Sequence, residues 1–436
     1  MEYINTFLNL SAFTEAKPNL PNPSLSLIEN TNQVYYIKKP LIKVTLNMSE
    51  EYSNKELPLG GFEYNRDGSA VDEIINSIKQ VVFPKELCED VIIDGVSVGP
   101  INTYTFTAGK HIVEYAMKDK TKVVDKQFFG FDILGIESVE IPGSVTSIGD
   151  EAFAGCTGLT AFKLPIDITS IGSIAFYGCS GLKTVDLTSY SKLTSIGSGA
   201  FAYCTGLTSF KLPIDITSIG DSAFAYCTGL KTVDLTSYSK LTSIGSGAFA
   251  YCSGLTSFKL PIDITSIGSE AFYGCSGLKT VDLTSYSKLT SIGYRAFKDC
   301  TGLTSFKLPI DITSIGSEVF VGCIGLKTVD LTSYSKLETI GDHTFEDCTG
   351  LTSITIPDSV TSIGFEAFRG CTGLTSITIP ERITLIGSCT FYNCSSLTEV
   401  TYKGKIYTSK RELLNDLRSN NVEPGSYAFD YTGLGV

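Results

Sequence analysis

The sequence predicts a mainly β fold: a solenoid with a parallel sheet of about eleven rungs, a small β-rich domain ahead of it and a cap behind it. Three observations lead there. The phrase I-G-x-x-A/V/T-F-x-x-C recurs eleven times, from Ile148, Ile171 and Ile196 through to Ile340, Ile363 and Ile386. Its copies stand 23 or 25 residues apart, and a unit that short cannot bury its apolar face alone and must stack on its neighbours. The composition of the 436 residues suits packing rather than disorder, with 42% apolar and only 18% charged residues, 25 Phe and 22 Tyr.

Composition also excludes several function classes. A formal charge of −12 argues against a general grip on nucleic-acid phosphates. No apolar run reaches the roughly 18 residues an ordinary membrane-spanning helix needs, so no membrane insertion is expected. The opening residues, Met1-Glu2 with Asn5-Thr6 close behind, do not read as a secretory leader. The 13 cysteines are too sparse for a disulfide-stapled miniprotein, and two histidines, His111 and His343, leave little for metal or histidine-based chemistry.

Along the chain, residues 1–33 form an N-terminal arm whose prolines Pro18, Pro21 and Pro23 cannot sit inside a sheet. Residues 34–130 read as a β-rich domain, with an immunoglobulin-like sandwich as one arrangement. Val34 to Leu46 is strand-like, and Ser69 to Val82 has helical spacing. Thr103 to Met117 reads as a hairpin turning at Ala108-Gly109.

The solenoid is expected over residues 136–402. Each period carries a strand phrase of the form L-x-x-F/V/I-x-L, such as Leu182, Val185 and Leu187, whose apolar side chains point inward. A second apolar set, such as Ile168, Ile171, Ala175, Phe176 and Cys179, turns the chain back under the sheet. That is leucine-rich-repeat logic; eleven rungs would make a sheet about 50 Å long. Phrases such as Leu351-Thr-Ser-Ile-Thr-Ile-Pro-Asp-Ser-Val-Thr-Ser-Ile-Gly-Phe-Glu-Ala-Phe-Arg-Gly-Cys371 resemble the BspA-like leucine-rich-repeat family of bacterial surface proteins. The resemblance implies adhesion and binding of host or neighbouring-cell proteins. Within the array a 48-residue unit is copied almost unchanged, which points to duplication. A unique active site cannot lie in a feature present four times.

Residues 403–436 read as a cap. Ser409-Lys-Arg-Glu412 is a capping-box signature opening a short helix with Leu413, Leu414 and Leu417 on one side. Gly425-Ser-Tyr-Ala-Phe429 is a worn repeat that closes the exposed end of the core.

Candidate side chains fall into rows. The cysteines from Cys156 to Cys394, one per rung, lack the paired spacing of a zinc site and read as buried thiols; Cys88 and Cys389 lie outside the row. Lys163, Asp186, Lys211, Asp234, Lys259, Asp282, Lys307 and Asp330 occupy one strand position on successive rungs, so each Asp would sit between two Lys. The insertions of the long rungs supply Tyr190, Tyr238, Tyr286 and Tyr334, which either pack locally or project as binding residues. Lys183, Lys231, Lys279 and Lys327 could join them in a ligand-facing stripe. Neither histidine has a neighbouring ligand set. No P-loop, zinc-protease or nucleophile-elbow motif occurs, and no metal, cofactor or catalytic residue is expected.

The expectation is therefore a non-enzymatic recognition or adhesion protein, outward-facing on a bacterial cell surface, that binds a protein or glycan on another cell or particle. A virion component is the alternative: a fibre or decoration protein of a phage of gut bacteria. Residues 1–130 would then dock on the larger assembly, and Pro21 to Tyr36 is faintly similar to proteins of such phages. An intracellular protein scaffold is a third reading.

Overall fold

A computed structural model describes residues 135–435 without a break. Before them it describes 25–30, 33–38, 41–48, 56–58, 88–99, 103–105, 107–117 and 123–124. The prolines of the arm and the helical spacing of 69–82 lie outside the described residues.

The repeat phrase forms a coil with three sides. In the rung that starts at Leu182, the strand Thr184–Asp186 points Val185 inward and its two flanking residues outward. A turn follows, then the strand Ser195–Ile196 with Ile196 inward. The third side is the I-G-x-x-A-F-x-x-C segment, which is not a strand. There Phe176 N–H bonds Ala200 O at 2.8 Å and Phe201 N–H bonds Ala223 O at 2.8 Å, so backbone groups pair rung to rung on this side too. Leu182, Leu187, Leu193, Ala200, Phe201 and Cys204 are all fully buried. The phenylalanines form a column whose rings stack 5.1 to 5.8 Å apart, from Phe153–Phe176 to Phe297–Phe320 and beyond.

The short strands of the second side run as a parallel ladder from Val123–Val124 to Ser291–Ile292, and again from Ser314–Ile315 to Glu423–Pro424. On the display side the pairing is interrupted at alternate steps. Val185 pairs with Phe210 and Val233 with Phe258, but no ladder joins a Phe-bearing strand to the Val-bearing strand after it. Where Ile354 and Ile377 stand at the inward position, the ladder continues unbroken from Thr328–Asp330 to Glu399–Tyr402. At the open steps Phe210 is only half-buried, with its ring 4.2 Å from Phe224 and 6.1 Å from Phe249, and each such step leads into a rung that carries the tyrosine insertion.

The described N-terminal strands are β1 (Leu25–Asn30), β2 (Gln33–Lys38), β3 (Leu41–Met48), β4 (Glu56–Pro58), β5 (Cys88–Ile93), β6 (Val96–Ser97), β7 (Thr103–Thr105), β8 (Gly109–Met117) and β9 (Val123–Val124). Of these, β3, β8, β5 and β6 continue the display sheet, β1 pairs with β2, β4 with β7, and β9 joins the second-side ladder. The solenoid's first display strand, β10 (Ile136–Glu140), pairs parallel with Ala161–Lys163 on one side and antiparallel with β3 on the other. From there the order runs β10-β3-β8-β5-β6. Ile42, Val44, Val91, Val113 and Tyr115 belong to the same buried core as the rungs. The region thus covers the open edge of the first rung, as a terminal cap must. The expected Thr103–Met117 hairpin is a correction: β7 pairs with β4, whereas β8 pairs with β3 and β5. A tight hairpin among the described residues lies at Asp94-Gly95, where both residues have positive φ and β5 meets β6.

At the far end, helix α1 (Lys410–Ser419) buries Leu413 and Leu417. Ser409 holds the N-cap position, but its side chain makes no capping bond. Lys410 N–H bonds Gly435 O at 2.9 Å there. The worn repeat behaves as a last rung: Glu423–Pro424 pairs with Leu385–Ile386, and Phe429 stacks on Phe391 at 5.1 Å.

Candidate functional site

Two rows of ion pairs cross the outer surface. Lys211–Asp186, Lys259–Asp234 and Lys307–Asp282 are 3.9, 3.8 and 3.7 Å apart. Each Asp meets the Lys of the following rung only, because the ladder is open on its other side, so the expected two-sided arrangement is half formed. Asp186 spends one oxygen locally instead, accepting from Thr188 N–H and Oγ1 at 3.0 and 2.6 Å. A second row was not foreseen: Lys192–Asp167, Lys240–Asp215, Lys288–Asp263 and Lys336–Asp311, at 2.6 or 2.7 Å. All of these pairs are exposed, and such pairs contribute only about 0.2–1 kcal/mol each. Lys183, Lys231, Lys279 and Lys327 are exposed and make no ion pair among the described residues.

The tyrosines of the insertions do not project. Tyr238 and Tyr334 are 8% and 5% exposed, while Tyr190 and Tyr286 are half-buried against the core. Each hydroxyl accepts a backbone N–H from the preceding short rung: Leu164 to Tyr190 at 3.2 Å, Leu212 to Tyr238 at 2.9 Å, Leu260 to Tyr286 at 3.0 Å and Leu308 to Tyr334 at 2.7 Å. Each ring therefore closes the insertion and satisfies a backbone donor at the step where the display ladder is open. Tyr238→Phe strands the Leu212 N–H and is expected to cost about 1–3 kcal/mol. Urea unfolding checks it, and a change under about 0.5 kcal/mol would place that N–H in contact with water.

The third side carries the chemistry that varies. Two residues per rung adopt left-handed backbone here, for example Ser222 and Tyr226 (φ 54° and 59°) or His343 and Asp347 (both 54°). Because the variable x positions of the repeat phrase fall on this bend, side chains on successive rungs align in columns. Tyr177, Tyr203, Tyr226, Tyr251 and Tyr273 form one aromatic strip, with ring centroids 5.0, 4.2, 4.5 and 4.7 Å apart. Small residues beneath it, Ala202, Ala225 and Ala250, let the rings lie against the coil. Tyr203 is 39% exposed and the others are half-buried. The rings spend their faces largely on one another, so solvent meets edges and hydroxyls. Tyr251 shares hydrogen bonds with Tyr273 and Tyr226, and the bond to Tyr273, with partial burial, lifts its hydroxyl pKa to about 12. Sequence reasoning missed this strip, although the phrases F-A-Y-C and F-Y-G-C were its signal.

Further along, the same bend turns charged. Glu318 takes Arg295 Nε at 2.7 Å, Lys298 Nζ at 3.1 Å and the Tyr294 hydroxyl. Burial alone would raise its pKa, but these three donors outweigh it and hold the carboxyl at about 2. Next, His343 Nδ1 lies 2.8 Å from Glu346 Oε2 and 3.5 Å from Glu366 Oε2. Arg369 Nη1 lies 2.6 Å from Glu346 Oε1 and 3.2 Å from Glu366 Oε2. The expectation that His343 has no neighbouring ligand set is corrected: a 23-residue step stacks it over Glu366. His111 has partners as well, with Nδ1 2.7 Å from Asp94 Oδ2 and Nε2 2.9 Å from Thr107 O. Partial burial lowers its pKa, the Asp94 and Thr107 bonds raise it, and the net shift is upward.

The cysteine row consists of buried thiols outside any disulfide, and from Cys179 onward each donates to a backbone carbonyl. Cys179 Sγ donates to Phe153 O at 3.2 Å, and the pattern repeats up to Cys394 with Phe368 O at 3.1 Å. Burial pushes Cys252 and Cys300 up to about 12, so they stay protonated donors.

Comparison with known proteins agrees with this geometry. The family model described as "BspA type Leucine rich repeat region (6 copies)" matches residues 70–157, 122–253, 234–349 and 330–424. A leucine-rich repeat protein from Bacteroides ovatus is 26% identical in a match covering 73% of this chain and 89% of that one, at a TM-score of 0.50. A leucine rich cell surface protein from Faecalibacterium prausnitzii is also 26% identical, covering 68% and 93%, at a TM-score of 0.44. No curated protein matches.

Proposed function

Since the chain belongs to the BspA-type leucine-rich-repeat family, we propose that it is a non-enzymatic, outward-facing recognition protein that adheres to a protein or glycan on another cell or particle. The observation that carries this reading is the tyrosine strip on the bend. On a side whose rung core is built from buried Ala, Phe and Cys, five aromatic residues, Tyr177 to Tyr273, stand in a row outside that core. Tyrosine edges combine apolar area with hydroxyl donors and acceptors, and two χ angles per residue cost little entropy on binding. The strip is about 20 Å long at one rung per 4.8 Å, enough for several sugar rings or a short peptide segment.

The exposed lysines Lys183, Lys231, Lys279 and Lys327 offer a second, repeated contact. Four identical cations at a two-rung spacing of roughly 10 Å suit a multivalent anionic partner. Tyr190, Tyr238, Tyr286 and Tyr334, spent on backbone bonds, serve the rung rather than the ligand.

Glycan arrays and pull-downs from surface-labelled cells, with the full chain as bait, test the proposal. We expect a saturable binder whose affinity falls at least about tenfold in a Tyr203→Ala, Tyr226→Ala, Tyr251→Ala triple variant that keeps its far-UV spectrum. A binder indifferent to that variant would remove the strip from the reading; no binder at all would remove the reading itself.

A further inference from the structure

We propose that His343, Glu346 and Glu366 form a zinc site on the bend, with Arg369 as the cation that the metal displaces. This is the one place among the described residues where three potential ligand side chains converge, each offering an atom within 4.8 Å of the other two. Tetrahedral zinc with nitrogen and oxygen ligands at about 2.0–2.2 Å holds its ligand atoms about 3.4 Å from one another. The separations of 2.8 and 3.5 Å from His343 Nδ1 bracket that value. Small side-chain rotations are enough to close the set.

The backbone under these ligands is held in place. His343 N–H bonds Phe365 O at 2.8 Å, Glu346 N–H bonds His343 O at 3.1 Å and Glu366 N–H bonds Ser388 O at 3.0 Å. His343 and Glu366 share the same left-handed bend one rung apart, at φ 54°. Two carboxylates and a neutral imidazole balance a divalent ion. The mixed nitrogen and oxygen set favours zinc over magnesium or calcium, which take oxygen ligands.

Arg369 now bridges both carboxylates but supplies one positive charge. Its side chain is 44% exposed, so it can swing into solvent when a doubly charged ion arrives. Three protein ligands leave the fourth position of zinc to water or to a donor from a bound partner.

The test is calorimetric titration of the chelator-treated full chain with zinc chloride, repeated with cobalt(II) to read the ligand field by absorption. One equivalent is expected, with His343→Ala and Glu366→Gln each weakening it by about tenfold or more. Arg369→Ala is expected to tighten binding, because the competing cation is gone. Absence of a saturable equivalent, unchanged binding in His343→Ala and Glu366→Gln, or an Arg369→Ala variant that binds no tighter would each overturn the proposal. Melting curves of the three variants confirm that the rungs remain folded.

Discussion

Phe249→Ala is expected to lower stability by about 3–5 kcal/mol, the range for emptying a buried aromatic site. Phe249 is fully buried and stacks on Phe224 and on Phe272, each at 5.7 Å, with Phe210 at 6.1 Å. The missing ring removes contacts to both neighbouring rungs, and the backbone there is pinned by Phe249 N–H to Ala271 O at 2.9 Å, so the gap cannot collapse. In an array whose units touch only their neighbours, a break in the middle also uncouples the two halves. Urea unfolding followed by circular dichroism should show an earlier and broader transition. A single sharp transition within about 0.5 kcal/mol of the parent would mean that the phenylalanine column is not what couples the rungs.

Gly197→Ala should be the other severe change, at or beyond the upper end of the roughly 1–3 kcal/mol typical of overpacking. A Cβ at Gly197 would stand 2.5 Å from both the carbonyl carbon and the oxygen of Gly172, one rung away. Those neighbours are backbone atoms of a hydrogen-bonded coil, and no side chain can move aside. Gly143→Ala is the control, since a Cβ there meets nothing within 4 Å and the residue has no positive φ. It should be neutral or stabilise by a few tenths of a kcal/mol through the unfolded chain. Thermal melts of the two variants separate the readings: equal behaviour would deny that close rung stacking, rather than chain entropy, explains the glycine of the repeat phrase.

The rung itself was legible because its information is local. Leu182, Val185, Leu187, Ile196, Phe201 and Cys204 recur at fixed offsets, and each offset places an apolar side chain inside the coil whatever the neighbouring rung contains. The alternating Lys and Asp positions were legible too, but their pairing was only half right. Whether Asp234 meets Lys211 or only Lys259 depends on the ladder opening beside each Phe-bearing strand, which no single rung specifies. The inserted tyrosines were visible as residues, yet their burial followed from the position of a backbone N–H 26 residues earlier.

From the order of residues alone came the period, the inward set, the β class and the family, since all of these are properties of one turn of chain repeated. Three-dimensional stacking settled the rest. It brought Tyr177 to Tyr273 into one strip, set His343 against Glu346, Glu366 and Arg369, and let β3, β8, β5 and β6 extend the display sheet. The physical reason is that these contacts run sideways between rungs. They depend on which bend residues take left-handed backbone and on where the display ladder opens, and neither is written in a single repeat.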